Sequence, residues 1–282
     1  MTTRTIRLAA VAVLVATATL CVAQYRGNRY RRQAETYRDG VPQWQNEPAF
    51  KKDVFTFVRI KYTSTGRYGR YGGWDKWAID YRDADLNLSY RLQQLTSLKV
   101  DPEGLVLELT DPDLFEYPWI YIVEPGDMEL SEEEVSCLRR YLLNGGFLMV
   151  DDFWGEREWM NFYEQIKRVF PDREPIDLEM DHPIFHCVFD LKLEKNQLQV
   201  PNFGTGEDSK FTGITWERYD ARDVHFRAIF DDKNRMMVMI CHNTDNGDGW
   251  EREGVYEYYF REFSEKKAYP LGINIVFYAM TH

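Results

Sequence analysis

Short apolar runs alternate along the chain with stretches in which hydrophobic residues recur at helical spacing. Residues 54–60, 105–109 and 119–123 are apolar runs of strand length, and they predict three strands. Leucines spaced through residues 86–95 predict a helix between the first two of them. Because strands and helices alternate over short connections, the pattern predicts an α/β fold with a mainly parallel sheet covered by helices.

The clearest local pattern lies in the middle of the chain. Ser131 and Glu134 form a capping box, in which each side chain satisfies a free amide of the first helical turn. The helix predicted after them ends at an Asn-Gly-Gly turn, whose residues accept positive φ. Residues 147–150 form a continuous apolar run that is typical of a buried parallel strand. Asp151 and Asp152 follow directly, so they are expected at the carboxyl end of that strand.

The pattern changes in the last third of the chain. Residues 224–230 and 235–241 are apolar runs on either side of an Asp-Asp-Lys-Asn turn, which predicts a C-terminal hairpin. Residues 268–281 are apolar and favour a terminal helix, although their isoleucine and valine content also suits a strand. We therefore predict one α/β domain over residues 51–282.

The N-terminus carries a targeting pattern. Arg4 and Arg7 precede an apolar run over residues 8–23 that ends in a small residue, as in a secretory signal peptide. The run is just shorter than the ~17–25 residues that span a bilayer, so an uncleaved membrane anchor is the alternative. Arginines directly after it disfavour translocation and weaken the cleaved interpretation. Residues 24–50 are polar and predict a linker or an N-terminal arm.

The charge balance limits the partners. The chain has 35 Lys and Arg residues against 46 Asp and Glu residues, a formal net charge of −11. Binding to nucleic acid needs a basic surface, so no nucleic-acid partner is expected, and membrane contact is expected only through the N-terminal segment. The cysteines include no CxxC pair, and cleavage would leave three of them, so neither a disulfide framework nor a zinc ribbon is indicated. The sequence assigns no metal ligands and specifies no cofactor.

Several phrases of the sequence are distinctive in combination, and they lie at residues 114–121, 138–147, 151–153, 182–185 and 272–279. Together they resemble a bacterial family, the domain of unknown function 4159. The resemblance implies a flavodoxin-like fold of the class I glutamine amidotransferase type, with helices on both faces of the sheet. It also implies a setting in the bacterial cell envelope, so that the protein would be periplasmic, extracellular or anchored to the inner membrane. It implies no established activity.

The wider superfamily offers one chemical test. Active amidotransferases place a cysteine on a glycine-flanked elbow after a central strand. Here Asp151 follows the strand, Cys137 lies inside a predicted helix, and Cys241 lacks the flanking glycines. Glutamine hydrolysis through a cysteine is therefore not expected. A likeness to the trehalose-utilisation branch of the superfamily is a fold-level argument for a carbohydrate-related role.

Asp151 and Asp152 are the first candidates for a site. Ligands of open α/β sheets bind outside the carboxyl ends of the strands, where this pair is expected. Two adjacent carboxylates could coordinate a hard cation, or one could act as a general base. The alternative is structural, with Asp152 or its neighbour capping the following helix.

Two histidines are further candidates. His182 follows Asp181, which could orient its ring as an acid, base or metal ligand, but a turn role before Pro183 is the favoured interpretation. His242 and Asp245 begin a polar loop after a strand and could form a pocket wall. An Asx-rich turn is the favoured interpretation of that loop, because it lacks the order of an EF-hand.

Aromatic residues suggest a surface for sugars. Trp74 and Trp77 lie in a loop rich in tyrosine and aspartate, and Trp154 follows the aspartate pair. Aromatic faces beside carboxylates suit sugar rings. The alternative is a loop that folds over the core and shields it.

Two functional hypotheses follow. The first is a non-catalytic binding or scaffold module on a degenerate amidotransferase-like fold, with a saccharide or small polar ligand or an envelope protein as its partner. The second is a hydrolase that acts on a saccharide or small polar substrate through Asp151, Asp152 and His182. Convergence of Asp151, His182 and His242 in one pocket would favour the enzyme.

Overall fold

The computed structural model describes residues 40–47, 53–64 and 75–282. The predicted signal peptide or anchor (1–23), most of the predicted arm (24–50) and Trp74 lie outside these residues. Of the predicted arm, Trp44 packs on the domain, where its Nε1 donates to the carbonyl of Val100 at 2.8 Å. Among the described residues, no helix is both long enough and apolar enough to cross a bilayer.

A seven-stranded sheet forms the centre of the fold. The strands described are β1 (Val58–Lys61), β2 (Thr63–Ser64), β3 (Leu105–Glu108), β4 (Trp119–Val123), β5 (Met128–Glu129), β6 (Phe147–Asp151), β7 (Ile176–Asp177), β8 (His225–Phe230) and β9 (Met236–His242). The order in the sheet is β3-β1-β4-β6-β9-β8-β7, and among the described strands β2 pairs only with β5. The first five strands of that order run parallel, and β8 is antiparallel to both of its neighbours, β9 and β7. The α/β prediction is thus confirmed, and the predicted hairpin is part of the main sheet.

The described helices cover both faces. They are α1 (Asp83–Leu95), α2 (Glu132–Leu143), α3 (Gly155–Val169), α4 (Phe203–Thr212), α5 (Asn246–Glu251), α6 (Glu257–Tyr259) and α7 (Tyr269–Thr281), with a π-helix (Phe260–Ala268) between the last two. Side chains of α1, α5 and α7 pack with one set of strand residues, and those of α2 and α3 pack with the other. Because helices cover both faces of the sheet, every residue of β4 and β6 is buried. Neither face of these strands meets solvent, so their sequences do not alternate between polar and apolar residues.

The segment that leads into β6 follows its prediction closely. Ser131 Oγ accepts from the Glu134 amide at 3.2 Å, and Glu134 Oε2 accepts from the Ser131 amide at 2.7 Å. The helix α2 ends before Gly145, whose φ of 108° favours glycine. A Cβ at Gly146 would collide with the ring of Tyr141, so the strand can enter only without a side chain there.

The predicted C-terminal helix is confirmed over Tyr269–Thr281, and a π-helix leads directly into it. Pro270 has no amide hydrogen to donate. In a regular α-helix its ring would also clash with the carbonyl of the residue four positions earlier. The wider π turn before it accommodates that loss, and the Tyr269 amide donates to the carbonyl of Ser264.

Candidate functional site

The carboxyl ends of β6 and β9 meet a third segment that leads into α1. Asp152 directly follows β6, Asn243 directly follows β9, and Asp80 lies just before α1. All three have left-handed backbones, with φ values of 56°, 60° and 59°. Such conformations are costly for residues other than glycine and concentrate at functional sites. These three conformations mark this edge of the sheet as the candidate functional site.

Asp151 is fully buried and saturated with hydrogen bonds. Its carboxylate accepts from Tyr121 Oη at 3.1 Å, from Asn246 Nδ2 at 2.8 Å and from the Gly247 amide at 3.0 Å. Burial raises the pKa of Asp151 to about 6, and these hydrogen bonds oppose that rise. The carboxylate joins β6 to β4 and to the start of α5, which is a structural anchor rather than a free general base.

Asp152 points elsewhere, because its left-handed backbone breaks the alternation of the strand. Its Oδ1 accepts from Trp154 Nε1 at 3.0 Å. Burial raises the pKa of Asp152 well above its ordinary value, and the charge of Asp80 adds to the rise.

Asp152 does not cap α3. The amide of Gly155 donates to Asn243 Oδ1 at 2.8 Å, and the amide of Glu156 donates to Asp220 Oδ2 at 3.0 Å. The Trp154 amide donates to Glu158 Oε2 at 2.7 Å. With these amides already paired, the capping interpretation does not account for Asp152, and this end of α3 offers no open anion site.

Three aspartates converge beside this turn, and we call them the triad: Asp80, Asp152 and Asp245. Each offers one carboxylate oxygen, and these oxygens all lie within 4.8 Å of one another. Asp245 also caps α5, since its Oδ1 accepts from the Asp248 amide at 2.7 Å. Burial raises the pKa of all three carboxyl groups well above the ordinary value, and neighbouring carboxylates raise it further.

Asp80 supplies a second, independent sign of a ligand. Its Oδ2 is buried and has no hydrogen-bond partner among the described residues. This oxygen packs against Gly247, where a Cβ would fall well inside contact distance. A buried carboxylate oxygen without a donor is costly, so a proton or a cation is expected to compensate it.

The charge of Arg59 opposes the rise in the pKa of Asp80 but does not outweigh it. Among the described residues, none of its three carboxylates forms an ion pair with lysine or arginine. A neighbouring group, in which Asp80 approaches Asp248 and Glu251, is different. There Arg252 Nε lies 2.7 Å from Glu251 Oε2 and 3.5 Å from Asp248 Oδ1. The triad therefore lacks the ion pairs with arginine that the second group has among the described residues.

The triad has the chemistry of a hard-cation site. Mg²⁺, Ca²⁺ and Mn²⁺ prefer carboxylate and carbonyl oxygens. Two oxygens on opposite sides of Ca²⁺, each at ~2.3–2.6 Å, are roughly 5 Å apart, so the spacing of the triad suits ligands of one ion. Asp80, Asp152 and Asp245 are the residues that would hold it.

His242 lies on the other face of the sheet. Adjacent strand residues alternate between faces, and its ring packs on Phe153 and Trp159 at centroid distances of 4.8 and 5.3 Å. Its Nδ1 accepts from Arg227 at 3.1 Å and its Nε2 donates to the Gly155 carbonyl at 3.2 Å. Burial, followed by the charge of Arg227, lowers the pKa of His242 to about 3. It is a neutral structural residue that supports the turn before α3.

His182 lies at the opposite end of the sheet. Its ring packs on Phe230, which pairs with Met236 at the start of β9. Asp151 is level with Cys241 near the end of β9, five residues and about 17 Å further along at ~3.3 Å per residue. His182 Nδ1 accepts from the Ile184 amide at 3.2 Å, which is the predicted turn role. The structure therefore does not bring His182 together with Asp151 and Asp152.

The candidate tryptophans do not form an exposed platform. Trp77 is 8% exposed and packs in the apolar layer under α2 and α3, so a sugar ring cannot stack on it. Trp154 is 3% exposed and shapes the site through its hydrogen bond to Asp152. Among the ligand-binding candidates that the structure describes, Asp245 alone is a member of the triad.

The family comparison finds one match to the chain. A family model described as "Domain of unknown function (DUF4159)" matches residues 56–280. A search of curated proteins gives no match to the chain.

Proposed function

Since the chain belongs to the DUF4159 family, whose description carries no activity, we propose its function from the site: it is a binding module that holds one divalent cation in the triad. A small polar ligand, such as a saccharide, binds through the open positions of that cation. The observation that carries the proposal is the convergence of Asp80, Asp152 and Asp245 with no positive side chain paired to them among the described residues.

Electrostatics supports a bound cation. Two like charges 4.8 Å apart repel by roughly 3 kcal/mol at an effective dielectric constant of ~20, and the triad contains three such pairs. A divalent cation replaces this repulsion with attraction, whereas a proton only removes the charge of the one carboxylate that it binds. Left-handed backbones at Asp80 and Asp152 add local strain, which a binding function explains.

The surrounding residues favour binding over catalysis by side chains. Asp151 has no free oxygen, His242 is held neutral on the other face, and His182 is at the far end of the sheet. Burial raises the pKa of the Cys241 thiol well above its ordinary value, which disfavours the thiolate. The hydrolase hypothesis needs Asp151, Asp152 and His182 in one site, and the distance of His182 from the two aspartates does not support it.

The setting of the module is part of the proposal. The parallel order of the central strands and the helices on both faces support a degenerate amidotransferase-like fold. The apolar run over residues 8–23 supports export or anchoring in the bacterial envelope. Cell fractionation followed by N-terminal sequencing tests this part, and a chain found whole in the cytosol would contradict it.

Thermal unfolding with and without CaCl₂, MgCl₂ or MnCl₂ tests the cation site. At a cation concentration about 100-fold above Kd, the melting temperature is expected to rise by about 5–10 °C. Asp80→Asn and Asp245→Asn are expected to lose most of that rise. Without cation, both variants are expected to melt at a higher temperature than the wild type, because one repelling charge is gone.

Asp172→Asn is the matched control, because it removes an exposed carboxylate away from the triad. It is expected to respond to the cations as the wild type does. The proposal fails if the wild type shows no rise with any of the three cations, or if the two triad variants keep the full rise. A saccharide panel titrated with and without the active cation then tests the polar ligand.

A further inference from the structure

Arg59 occupies an unusual position for a charged side chain. It lies in the middle of β1, is 0% exposed, and pairs with Asp85 of α1, whose carboxylate its Nη2 approaches at 2.5 Å. Its Nη1 donates to the carbonyls of Trp77 at 3.1 Å and Ile79 at 2.9 Å. One guanidinium therefore fastens the segment before α1 to the sheet.

That segment leads directly to the triad. The second of the two carbonyls belongs to the residue that precedes Asp80, so its hydrogen bond restrains the peptide that enters the left-handed turn. Asp80 Oδ2 then lies against Gly247 with no donor of its own among the described residues. The position of this carboxylate is thus set by backbone bonds to Arg59, not by bonds to the carboxylate itself.

A second path runs from Arg59 to the other side of the triad. The guanidinium carbon lies 5.1 Å from the ring centroid of Tyr121, its neighbour on β4. Tyr121 Oη donates to Asp151, and Asp151 in turn accepts from the Gly247 amide in the first turn of α5. Asp245 caps that same helix, so its place depends on where α5 begins.

We propose that Arg59 is a positioning residue of the cation site. It fixes Asp80 through two backbone carbonyls and supports Asp245 through Tyr121 and Asp151, and it does not contact the cation. The proposal rests on the proposed function of the triad. The planar fork of arginine is needed, because a lysine ammonium cannot bond Asp85 and two carbonyls in the same geometry.

Affinity for Ca²⁺, or for Tb³⁺ as a luminescent probe, tests the proposal on the full chain. Arg59→Lys is expected to lower cation affinity by about tenfold or more, as for other residues that orient ligands without touching the metal. The Arg59→Lys change is expected to cost less affinity in an Asp80→Asn background than in the wild type, because its effect through Asp80 is already lost there and only its support of Asp245 remains.

Arg139→Lys is the matched control. Arg139 also donates to two backbone carbonyls, those of Arg168 and Val169, but it joins α2 to the end of α3. This substitution removes a similar clamp and is expected to leave cation affinity unchanged. A general loss of stability would instead lower affinity in both lysine variants.

The outcomes separate the two proposals. If the wild type binds none of the cations, the proposed function fails. If it binds and Arg59→Lys binds equally well, or if the losses in the double variant add, only the positioning role is overturned. Should Arg59→Lys not fold, Tyr121→Phe removes one hydroxyl of the second path. It is expected to lower affinity with the fold retained, and unchanged affinity there overturns the positioning role.

Discussion

Asp151 and Asp152 are neighbours in the chain, but their surroundings give them different roles. Asp151 is the last residue of β6, points into the layer under α5 and uses its oxygens on three donors. The left-handed backbone of Asp152 turns the next carboxylate toward Asp80 and Asp245. Sequence reasoning treats the two as one pair, because the sign of φ at a non-glycine residue has no signature in the sequence.

Gly247 provides a test at the scale of one residue. Alanine there would favour the helix α5 by about 1 kcal/mol, but its Cβ would collide with Asp80 Oδ2. We therefore expect Gly247→Ala to move the Asp80 carboxylate and to lower cation affinity by about tenfold or more. Isothermal titration with CaCl₂ measures the affinity, and circular dichroism checks that the fold is retained.

A second glycine in a first helical turn serves as the control. At Gly204 of α4, a Cβ would meet only Asn202 Oδ1, at an ordinary distance of 3.5 Å. Gly204→Ala is expected to gain the same helix propensity without a change in affinity. Equal affinities in the two alanine variants would show that Asp80 does not need the space beside Gly247.

Individual elements are the level at which the sequence is most informative. The apolar runs predict β4, β6 and the β8–β9 pair, and the capping box predicts the start of α2, because each signal is local. The first strand is shorter than predicted: β1 begins at Val58, and Phe55 makes only an isolated bridge to Val100. The π-helix before Pro270 has no local signal beyond the proline, and the predicted terminal helix includes only Ala268, its last residue.

Asn274 shows how a polar residue inside an apolar helix serves the fold. Its Oδ1 accepts from the amides of Val188 and Phe189 at 3.1 and 2.8 Å, and its Nδ2 donates to the Phe189 carbonyl at 2.8 Å. Asn274→Ala leaves these backbone groups without partners. We expect it to lower the free energy of unfolding by about 2–4 kcal/mol, measured by urea denaturation.

Cation affinity should not change in Asn274→Ala, because the loop that it holds follows His182, away from the triad. Thr281→Ala, which removes a hydroxyl bonded to the Phe277 carbonyl at the exposed end of the same helix, is expected to change stability by less than about 0.5 kcal/mol. A stability loss equal to that of Thr281→Ala would mean that Asn274 does not hold the loop.

The order of the strands decides which candidate residues meet. Because β6 and β9 are parallel, their carboxyl ends lie side by side. The sequence places Asp151, Asp152 and Asp245 after these two strands, so it correctly predicts that they lie at the same edge of the sheet. Strand β8 runs antiparallel, so the residues near its end, including the contact of His182, lie at the other end of the sheet. The direction of a strand in the sheet cannot be read from residue spacing along the chain. Spacing also gives no reason to group Asp80 with Asp152 and Asp245, which are distant from it in sequence.

His242 contributes to the dependence of the stability of the whole domain on pH, because its ring is 4% exposed and held neutral. Burial lowers the pKa of His242 to about 3 in the folded chain, against an ordinary value of 6.5 for histidine. Between these two pKa values His242 binds a proton in the unfolded chain but not in the folded chain. The free energy of unfolding therefore falls as pH decreases below 6.5. From about pH 7.5 to about pH 5 the loss from this residue is about 2 kcal/mol.

His242→Gln keeps a donor and an acceptor but cannot titrate. Relative to the wild type, its free energy of unfolding is expected to rise by about 2 kcal/mol when the pH is lowered from about 7.5 to about 5, as measured by urea denaturation at both values. The carboxylates are common to both chains, so their titration cancels in the difference.

His186→Gln is the control of opposite sign, because hydrogen bonds to Met180 and Asp190 raise the pKa of His186 and stabilise its charged form. A difference between His242→Gln and wild type that does not vary with pH would mean that His242 is accessible to protons in the folded chain, and its role as a buried support of the α3 turn would be lost.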